Sequence, residues 1–414
     1  MPNKPQNVIF LKGNDRSASW DDEIMIAIDE DNIPDSINKY NISDLKSSFP
    51  DFGEETWKFG YLSYDFKNKL EQLHSRTPSF LNVQEFCFLN PGFIWKQKGE
   101  NKEVVLNKYD YDSTRINEIL RKYTTIPTSS PLSALAVRPR LSRKAYLKQV
   151  MRIQERIRLG DIYELNFCME FFAEDVDLDP FAVYKRLNDV SDAPFSAFCR
   201  FGDLYIISAS PERFLKKSGS HLLSQPIKGT RRRGNSAEED EQLRKELLND
   251  EKERSENVMI VDLVRNDLSR VAQKGSVKVD ELFGIYSFPQ VHQMISTVSC
   301  ELNPTASFYD IIKATFPMGS MTGAPKVRAM ELIDEFENSR RGLYSGAVGY
   351  ITPQGDFDFS VIIRTILYDS KQRRLSFSVG SAITSLSDPE KEYEECLLKA
   401  KALIDALNAK IVNE

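Results

Sequence analysis

Apolar and polar side chains alternate most regularly near the C-terminal end, where Leu375, Phe377 and Val379 are interleaved with Arg374, Ser376 and Ser378. That period of two predicts a half-buried strand, with Gly380 expected to stop it. Ser387-Asp388-Pro389-Glu390 then has the composition of a helix start: a capping side chain, a proline in the first turn and an acid at the positive end of the dipole. Beyond it, Tyr393, Cys396, Leu397, Ala400, Leu403, Ile404 and Leu407 fall on one face at helical spacing. Glu392, Glu395 and Lys399 lie together along an edge of that face, so their charges should be partly desolvated. Two carboxylates held side by side there repel unless a cation sits between them, and such oxygen ligands suit magnesium. A solvated charged face with Lys399 as counter-ion is the other reading of the same spacing.

Towards the N-terminus, Val8 to Leu11, Trp57 to Tyr64 and Phe86 to Leu89 read as strands, and Ser43 to Phe49 and Lys67 to His74 as short helical pieces. Pro127, Pro131 and Pro139, mixed with serine and threonine, mark a connection, which divides the chain into an N-terminal lobe, 1–135, and a second region, 136–414. Ser142 should cap a helix with Tyr146, Val150, Met151, Ile153 and Ile157 on its apolar side and Gly160 at its end. A strand over Ile162 to Phe172 follows, then a hairpin of Phe195 to Phe201 with Leu204 to Ser208 turning at Gly202-Asp203. Leu222 to Thr230 reads as one strand and Ser236 to Glu256 as one highly charged helix. Tyr344 to Ile351 and Phe357 to Leu367 read as the strands that precede the C-terminal pattern.

With 41% hydrophobic and 28% charged residues in 414, the chain has a globular composition and enough length for a large core. A net charge of -6 argues against nucleic acid or an anionic membrane as the main partner. Five cysteines without paired spacing suggest a reduced compartment, and the three scattered histidines carry no zinc signature. No apolar run approaches a membrane span, so a cytoplasmic location is expected.

Several polar residues stand where chemistry is possible. Glu212 follows Pro211 between apolar neighbours, where a carboxyl group would have a raised pKa and serve as an acid near neutral pH; pairing with Arg213 is the alternative. Lys228 precedes Arg231, Arg232 and Arg233, a cationic neighbourhood that would ease loss of its proton and make it a nucleophile or base; a solvated basic turn is the alternative. Glu256 stands where the charged helix turns apolar, as a possible metal carboxylate or an ordinary helix-end acid. Asp262 and Arg265, three apart, should form an internal ion pair. The glycine-punctuated loop Phe316 to Lys326 suits an anion at the following helix start. Arg364, amid apolar residues, needs a carboxylate from the protein or from a ligand.

Ser210-Pro211-Glu212, Pro226-Ile227-Lys228-Gly229-Thr230, Glu256-Asn257, Asp262-Leu263-Val264-Arg265-Asn266-Asp267-Leu268, Gly323-Ala324-Pro325-Lys326, Ile363-Arg364-Thr365 and Asp388-Pro389-Glu390-Lys391-Glu392-Tyr393-Glu394-Glu395 together resemble, in that order, the motifs of chorismate-utilising enzymes. The resemblance covers residues 140 to 410, and Phe59-Gly60-Tyr61-Leu62-Ser63-Tyr64-Asp65 extends it into the first lobe. It implies an α+β fold of two large, mostly antiparallel sheets packed face to face, with helices outside and the site between them. It further implies Mg²⁺ held by Glu256, Glu392 and Glu395, and substrate positioned by Thr230, Tyr344, Arg364, Lys399 and the backbone at Gly380 and Ser381. Lys228 and Glu212 would be catalytic, the neutral amine attacking ring carbon C2 while the carboxylic acid protonates the leaving C4 hydroxyl.

Within the family, Lys228 resembles the branch that aminates chorismate to 4-amino-4-deoxychorismate for para-aminobenzoate and folate, with ammonia supplied by a glutamine amidotransferase subunit. The anthranilate-forming branch usually has a small residue at that place, and a histidine associated with pyruvate loss where this chain has Gln293, one place after His292. Two positions depart from the pattern: Ala382 replaces the second glycine of a Gly-x-Gly loop, and Glu164 stands where ammonia-using relatives often have glutamine. An anthranilate-forming enzyme and a non-catalytic metabolite-binding module are the rival readings.

Overall fold

The C-terminal alternation belongs to a ten-residue strand, Arg374–Ile383, and Gly380 lies inside it instead of ending it. The computed structural model describes residues 7–13, 23–30, 56–124, 134–288 and 291–412. Gly380 continues the strand because it passes Cys168 on the neighbouring strand so closely that a β-carbon would meet the thiol sulfur at 2.6 Å.

Arg374–Ile383 lies near one end of a twelve-stranded sheet, between Glu164–Ala173 and Thr365–Asp369; Leu204–Ser210, Phe195–Phe201, Asn7–Gly13, Glu23–Asp29, Phe93–Lys98 and Asn101–Asn107 continue it in that order. Its pairings are antiparallel except for Ala409–Ile411 against Leu135–Pro139. The second sheet has nine strands, running from Ile227–Arg232 through Val291–Glu301, His221–Gln225, Arg213–Ser218, Phe357–Val361, Ala347–Ile351 and Lys58–Leu62 to Phe86–Leu89, with Lys278–Ser287 also on Val291–Glu301. Strands from either side of residue 135 thus share both sheets.

Three apolar layers hold these sheets. Ile9, Met25, Ile94, Cys199, Ile206 and Leu367 of the larger sheet pack with Phe59, Tyr61, Leu89 and Val348 of the smaller, the face-to-face interior. The other face of the larger sheet buries Tyr146, Val150 and Ile153 of the helix Arg143–Arg158 and Cys396, Ala400 and Leu403 of Pro389–Leu407. The smaller sheet is covered by Ile260, Val264 and Leu268 of Glu251–Ser269 and by Phe308–Thr315. All five cysteines are free and buried.

Caps fall where the sequence places them: Ser142 accepts from the Ala145 amide, and Asp388 from those of Glu390 and Lys391. The hairpin at Gly202-Asp203 forms over the expected residues. Met151 is 53% exposed, so the apolar side of its helix is Tyr146, Val150, Ile153 and the partly buried Ile157 without it. The Leu222 to Thr230 segment is two strands broken at Pro226, which has no N–H to give a ladder. The charged helix is two, Ala237–Asn249 and Glu251–Ser269, because Asp250 turns its carboxylate onto the amides of Lys252 and Glu253 and starts the second. Only Lys67–Leu70 of the Lys67 to His74 segment is α-helical, and Ser43 to Phe49 lies outside the described residues, as does most of the expected connection before residue 134.

Gly60 and Gly349 face each other across the smaller sheet, and a β-carbon on either would come within 2.0 Å of a backbone carbonyl on the next strand. Gly349→Ala should therefore cost about 1–3 kcal/mol through forced backbone shifts, read as a lower melting temperature; an unchanged melting temperature would contradict the close approach.

Candidate active site

The chain passes between the sheets at two places that lie side by side. Leu204–Ser210 belongs to the larger sheet and Arg213–Ser218 to the smaller, so Pro211-Glu212 makes one crossing. Phe357–Val361 and Thr365–Asp369 are divided the same way, so the expected single strand over Phe357 to Leu367 is two, joined by Ile362 to Arg364. Backbone bonds tie the crossings together, Ala209 N–H to Arg364 O at 3.1 Å and Val361 N–H to Glu212 O at 3.0 Å.

Glu212 is 4% exposed, and its neighbour Arg213 pairs with Asp358 and Gln225 instead. Burial pushes its carboxyl group up to about 7, against the opposing pull of the Ser320 hydroxyl, which donates to it at 2.6 Å, and of Lys228. Ser320 comes from the glycine-punctuated loop, whose Gly323 and Ala324 pair with Leu165 and Glu164 and whose Lys326 binds Asp267. That loop thus braces the site strand. Arg364, with φ at 52°, is half-buried at the other crossing. Burial lowers its pKa; no ion pair or side-chain hydrogen bond is made by its guanidinium among the described residues. A desolvated guanidinium without a protein partner is suited to a carboxylate brought by a ligand.

Lys228 reaches the cleft through a bulge. Ile227 pairs with Ile295 and Thr230 with Gln293, so Lys228 and Gly229 together oppose the single residue Met294, and Gly229 takes a φ of +91°. The amine then donates to Glu164 Oε1 at 2.6 Å, joining the edge strand of the smaller sheet to the larger sheet across the cleft. Both are buried, Lys228 at 9% and Glu164 at 1% exposure. The expected neutral lysine is corrected by this contact: burial works against its charge, but Glu164, Glu256 and Glu395 outweigh burial and hold its pKa above the usual lysine value. The arginines that were to discharge it are occupied elsewhere, Arg231 with Asp250, Arg232 with Glu239 and Arg233 with Asp240.

The three expected metal carboxylates come from helices on opposite sides of the cleft. Lys252 lies 3.7 Å from Glu256 and 3.8 Å from Glu392, both buried. Glu395 is 45% exposed; burial pushes its pKa up, but the ammonium groups of Lys399, Lys252 and Lys228 outweigh it and draw the group below the usual range. Two lysines, not one shared point, balance these acids, and no group of three acidic, histidine or cysteine side chains stands close enough to hold a metal among the described residues. The donor set nevertheless fits a hard cation. Glu256 Oε1 is buried without a hydrogen bond, and burial pushes this carboxyl group up to about 7.

Of the other expected substrate contacts, Tyr344 is buried, with its hydroxyl 3.8 Å from the Cys168 thiol. Thr230 is exposed on the strand beyond Lys228. Lys399 donates to the Gly380 carbonyl at 2.8 Å and to Glu395, the counter-ion role. Thr365–Asp369 ends opposite Phe377, so the backbone around Gly380 has an open edge. The Ser381 side chain is turned away, bonded to Tyr146 at 3.1 Å. Asp262 and Arg265 do pair at 3.0 Å, but on the surface, since this turn of the helix faces solvent. Sequence reasoning missed Lys252, Ser320 and the buried Arg341–Glu337 pair, whose arginine binds the carbonyls of Met321 and Asn166 and braces the cleft floor. Lys252 precedes Glu256 by one helical turn, the one signal that could have revealed it.

The chorismate binding enzyme family model matches residues 3–405. Aminodeoxychorismate synthase component 1 of Salmonella typhimurium is 41% identical over 359 residues, 86% of this chain and 78% of that one. Aminodeoxychorismate synthase of Streptomyces griseus is 46% identical over 271 residues, and this match spans only 37% of that protein's length. The solved anthranilate synthase component I from Streptococcus pneumoniae superposes with a TM-score of 0.74 at 26% identity, covering 97% of this chain and 92% of that one. This chain belongs to the chorismate binding enzyme family.

Proposed function

We propose that the protein converts chorismate and ammonia to 4-amino-4-deoxychorismate, the precursor of para-aminobenzoate in folate synthesis. The observation that carries this reading is a lysine amine, Lys228, delivered by a bulge into the cleft beside Glu212, whose carboxyl group titrates at about 7. An amine and a protonated carboxylic acid are the two groups needed to add at C2 and release the C4 hydroxyl as water. Ammonia then adds at C4 and expels the lysine. Arg364 takes one carboxylate of the dianion, with Tyr344 beside it, and the backbone edge at Gly380 lies within the same wall.

Mg²⁺ held by Glu256, Glu392 and Glu395 would bind the other carboxylate and offset its repulsion by these acids. Ammonia reaches the site from a glutamine amidotransferase subunit, a reading supported by the "component 1" in the relatives' name. The anthranilate alternative is less well supported, because His292 is tied to Asp240 at 3.0 Å and Ser287 at 2.8 Å and is not available to assist pyruvate loss. A cytoplasmic enzyme is consistent with this chemistry; no described helix is long and apolar enough to cross a membrane.

Incubation with chorismate, Mg²⁺ and an ammonium salt should give aminodeoxychorismate, which becomes para-aminobenzoate only when a lyase is added. Direct release of anthranilate would establish the rival activity, and unchanged chorismate would remove both. Lys228→Ala should lose most turnover while still binding chorismate; wild-type rates would exclude it as the nucleophile. Because Glu212 must carry its proton to act, kcat/KM should fall as pH rises through about 7, and Glu212→Gln should lose roughly 10²–10⁴-fold in rate.

The same residue predicts a stability change. Its folded pKa lies above the unfolded one, so wild-type stability is lost as pH rises from about 4.5 through about 7. Glu212→Gln should therefore melt at a higher temperature than wild type at pH 8, with the difference vanishing near pH 4; an identical difference at both pH values would contradict the raised pKa.

A further inference from the structure

Glu164 is 1% exposed, and among the described residues its carboxylate meets one hydrogen-bond partner, the Lys228 amine, while Oε2 is buried with none. The contrast with the other buried ion pair of the cleft is informative. Glu337 accepts from Arg341 through both oxygens and from the Cys168 amide, so neither oxygen is idle. Glu164 has no such saturation. A carboxylate with one short hydrogen bond and an idle second oxygen can take up the proton it already shares, whereas an arginine-saturated one cannot. The Lys228 ammonium is not a nucleophile, and among the described residues Glu164 is the group hydrogen-bonded to it.

We propose that Glu164 is the base that frees the Lys228 amine and later returns its proton. This deepens the aminodeoxychorismate reading and rests on it. Oε1 takes one proton from the ammonium, leaving a neutral carboxylic acid beside a neutral amine. The amine lone pair forms the N–C2 bond, the two conjugated ring double bonds each shift by one position, and the C4–O bond breaks as the Glu212 proton leaves with the hydroxyl as water. An entering ammonium ion gives one proton to Glu212 and, as ammonia, forms the N–C4 bond while the N–C2 bond breaks. Lysine leaves as the neutral amine, and Glu164 gives back the stored proton. The starting charges are restored. Around the pair, Glu256 and Glu395 favour the ammonium, Glu212 sits on the smaller-sheet side, and Lys252 and Glu253 act on Glu256 from its own helix.

An internal transfer leaves the net proton count of the pair unchanged, so it has no pH dependence of its own. Removing the acceptor forces Lys228 to lose its proton to bulk water. Turnover of wild type, Glu164→Gln and Glu164→Asp is measured with chorismate, Mg²⁺ and ammonium between pH 6 and 9. The ratio of wild-type to Glu164→Gln rate should shrink by about tenfold per pH unit as the lysine ionises, the signature of one proton; a ratio keeps the Glu212 limb from interfering. Glu164→Asp keeps an acid and should hold a constant ratio to wild type at a reduced rate. A pH-independent ratio for Glu164→Gln, or an Asp variant that follows the Gln profile, overturns the assignment while leaving the activity standing. No product from the wild type overturns both.

Discussion

Lysine–carboxylate contacts across the cleft are the interactions on which the rest of the site depends. Lys228 joins an edge strand of one sheet to Glu164 of the other, and Lys252 spans acids on two helices that cover opposite sheets. Five carboxylates, Glu164, Glu212, Glu256, Glu392 and Glu395, would repel one another if all were charged and unpaired in so small a volume. Burial answers part of this by raising Glu212 and Glu256 to about 7 each, and lysines answer the rest. The site is therefore charge-balanced with little to spare. A dianionic ligand entering it needs additional positive charge, and Arg364, which makes no ion pair among the described residues, is a protein group that supplies some of it.

The sheets place these groups by where the chain changes layer. Glu212 and Arg364 sit at two adjacent crossings bonded to each other through the backbone, so a shift of either sheet would move both. Lys228 is fixed by a bulge and Glu164 by its pairing with Ala324 of the brace, one residue before the ladder with Arg374–Ile383 begins at Leu165. Sites carried on such rigid elements hold their geometry better than sites on free loops.

Much of this was legible in the order of residues, for reasons that differ from group to group. The helix of Glu392 and Glu395 was readable because caps and a helical apolar period are local signals, and Asp388, Cys396 and Ala400 obey them. Motif order in the chain identified the family and, through it, the two-sheet fold. What was not legible depends on contacts between distant segments. Phe357 to Leu367 has the apolar content of one strand, and nothing in it announces that Ile362 to Arg364 leaves one sheet for the other. The charge of Lys228 was misjudged for a related reason: Arg231, Arg232 and Arg233 are its neighbours in sequence, but their acids lie on the next helices, while the lysine faces Glu164, 64 residues away. The bulge at Gly229 decides which of these surroundings the amine meets.

The Glu164 departure gains its meaning from that same geometry. A glutamine at this position would offer Lys228 a hydrogen-bond acceptor without charge, and the buried amine would be left to the weaker pull of Glu256 and Glu395. A carboxylate instead keeps the lysine protonated at rest and lies at 2.6 Å, within reach for taking the proton back. Glu212 is driven the opposite way, because burial outweighs the Ser320 hydroxyl, the Lys228 charge and the Ile227 backbone that favour its ionised form. Two acids in one cleft thus meet different partners, Glu164 the lysine amine at 2.6 Å and Glu212 a serine hydroxyl, and that direct contact is what gives the first a proton to exchange with Lys228.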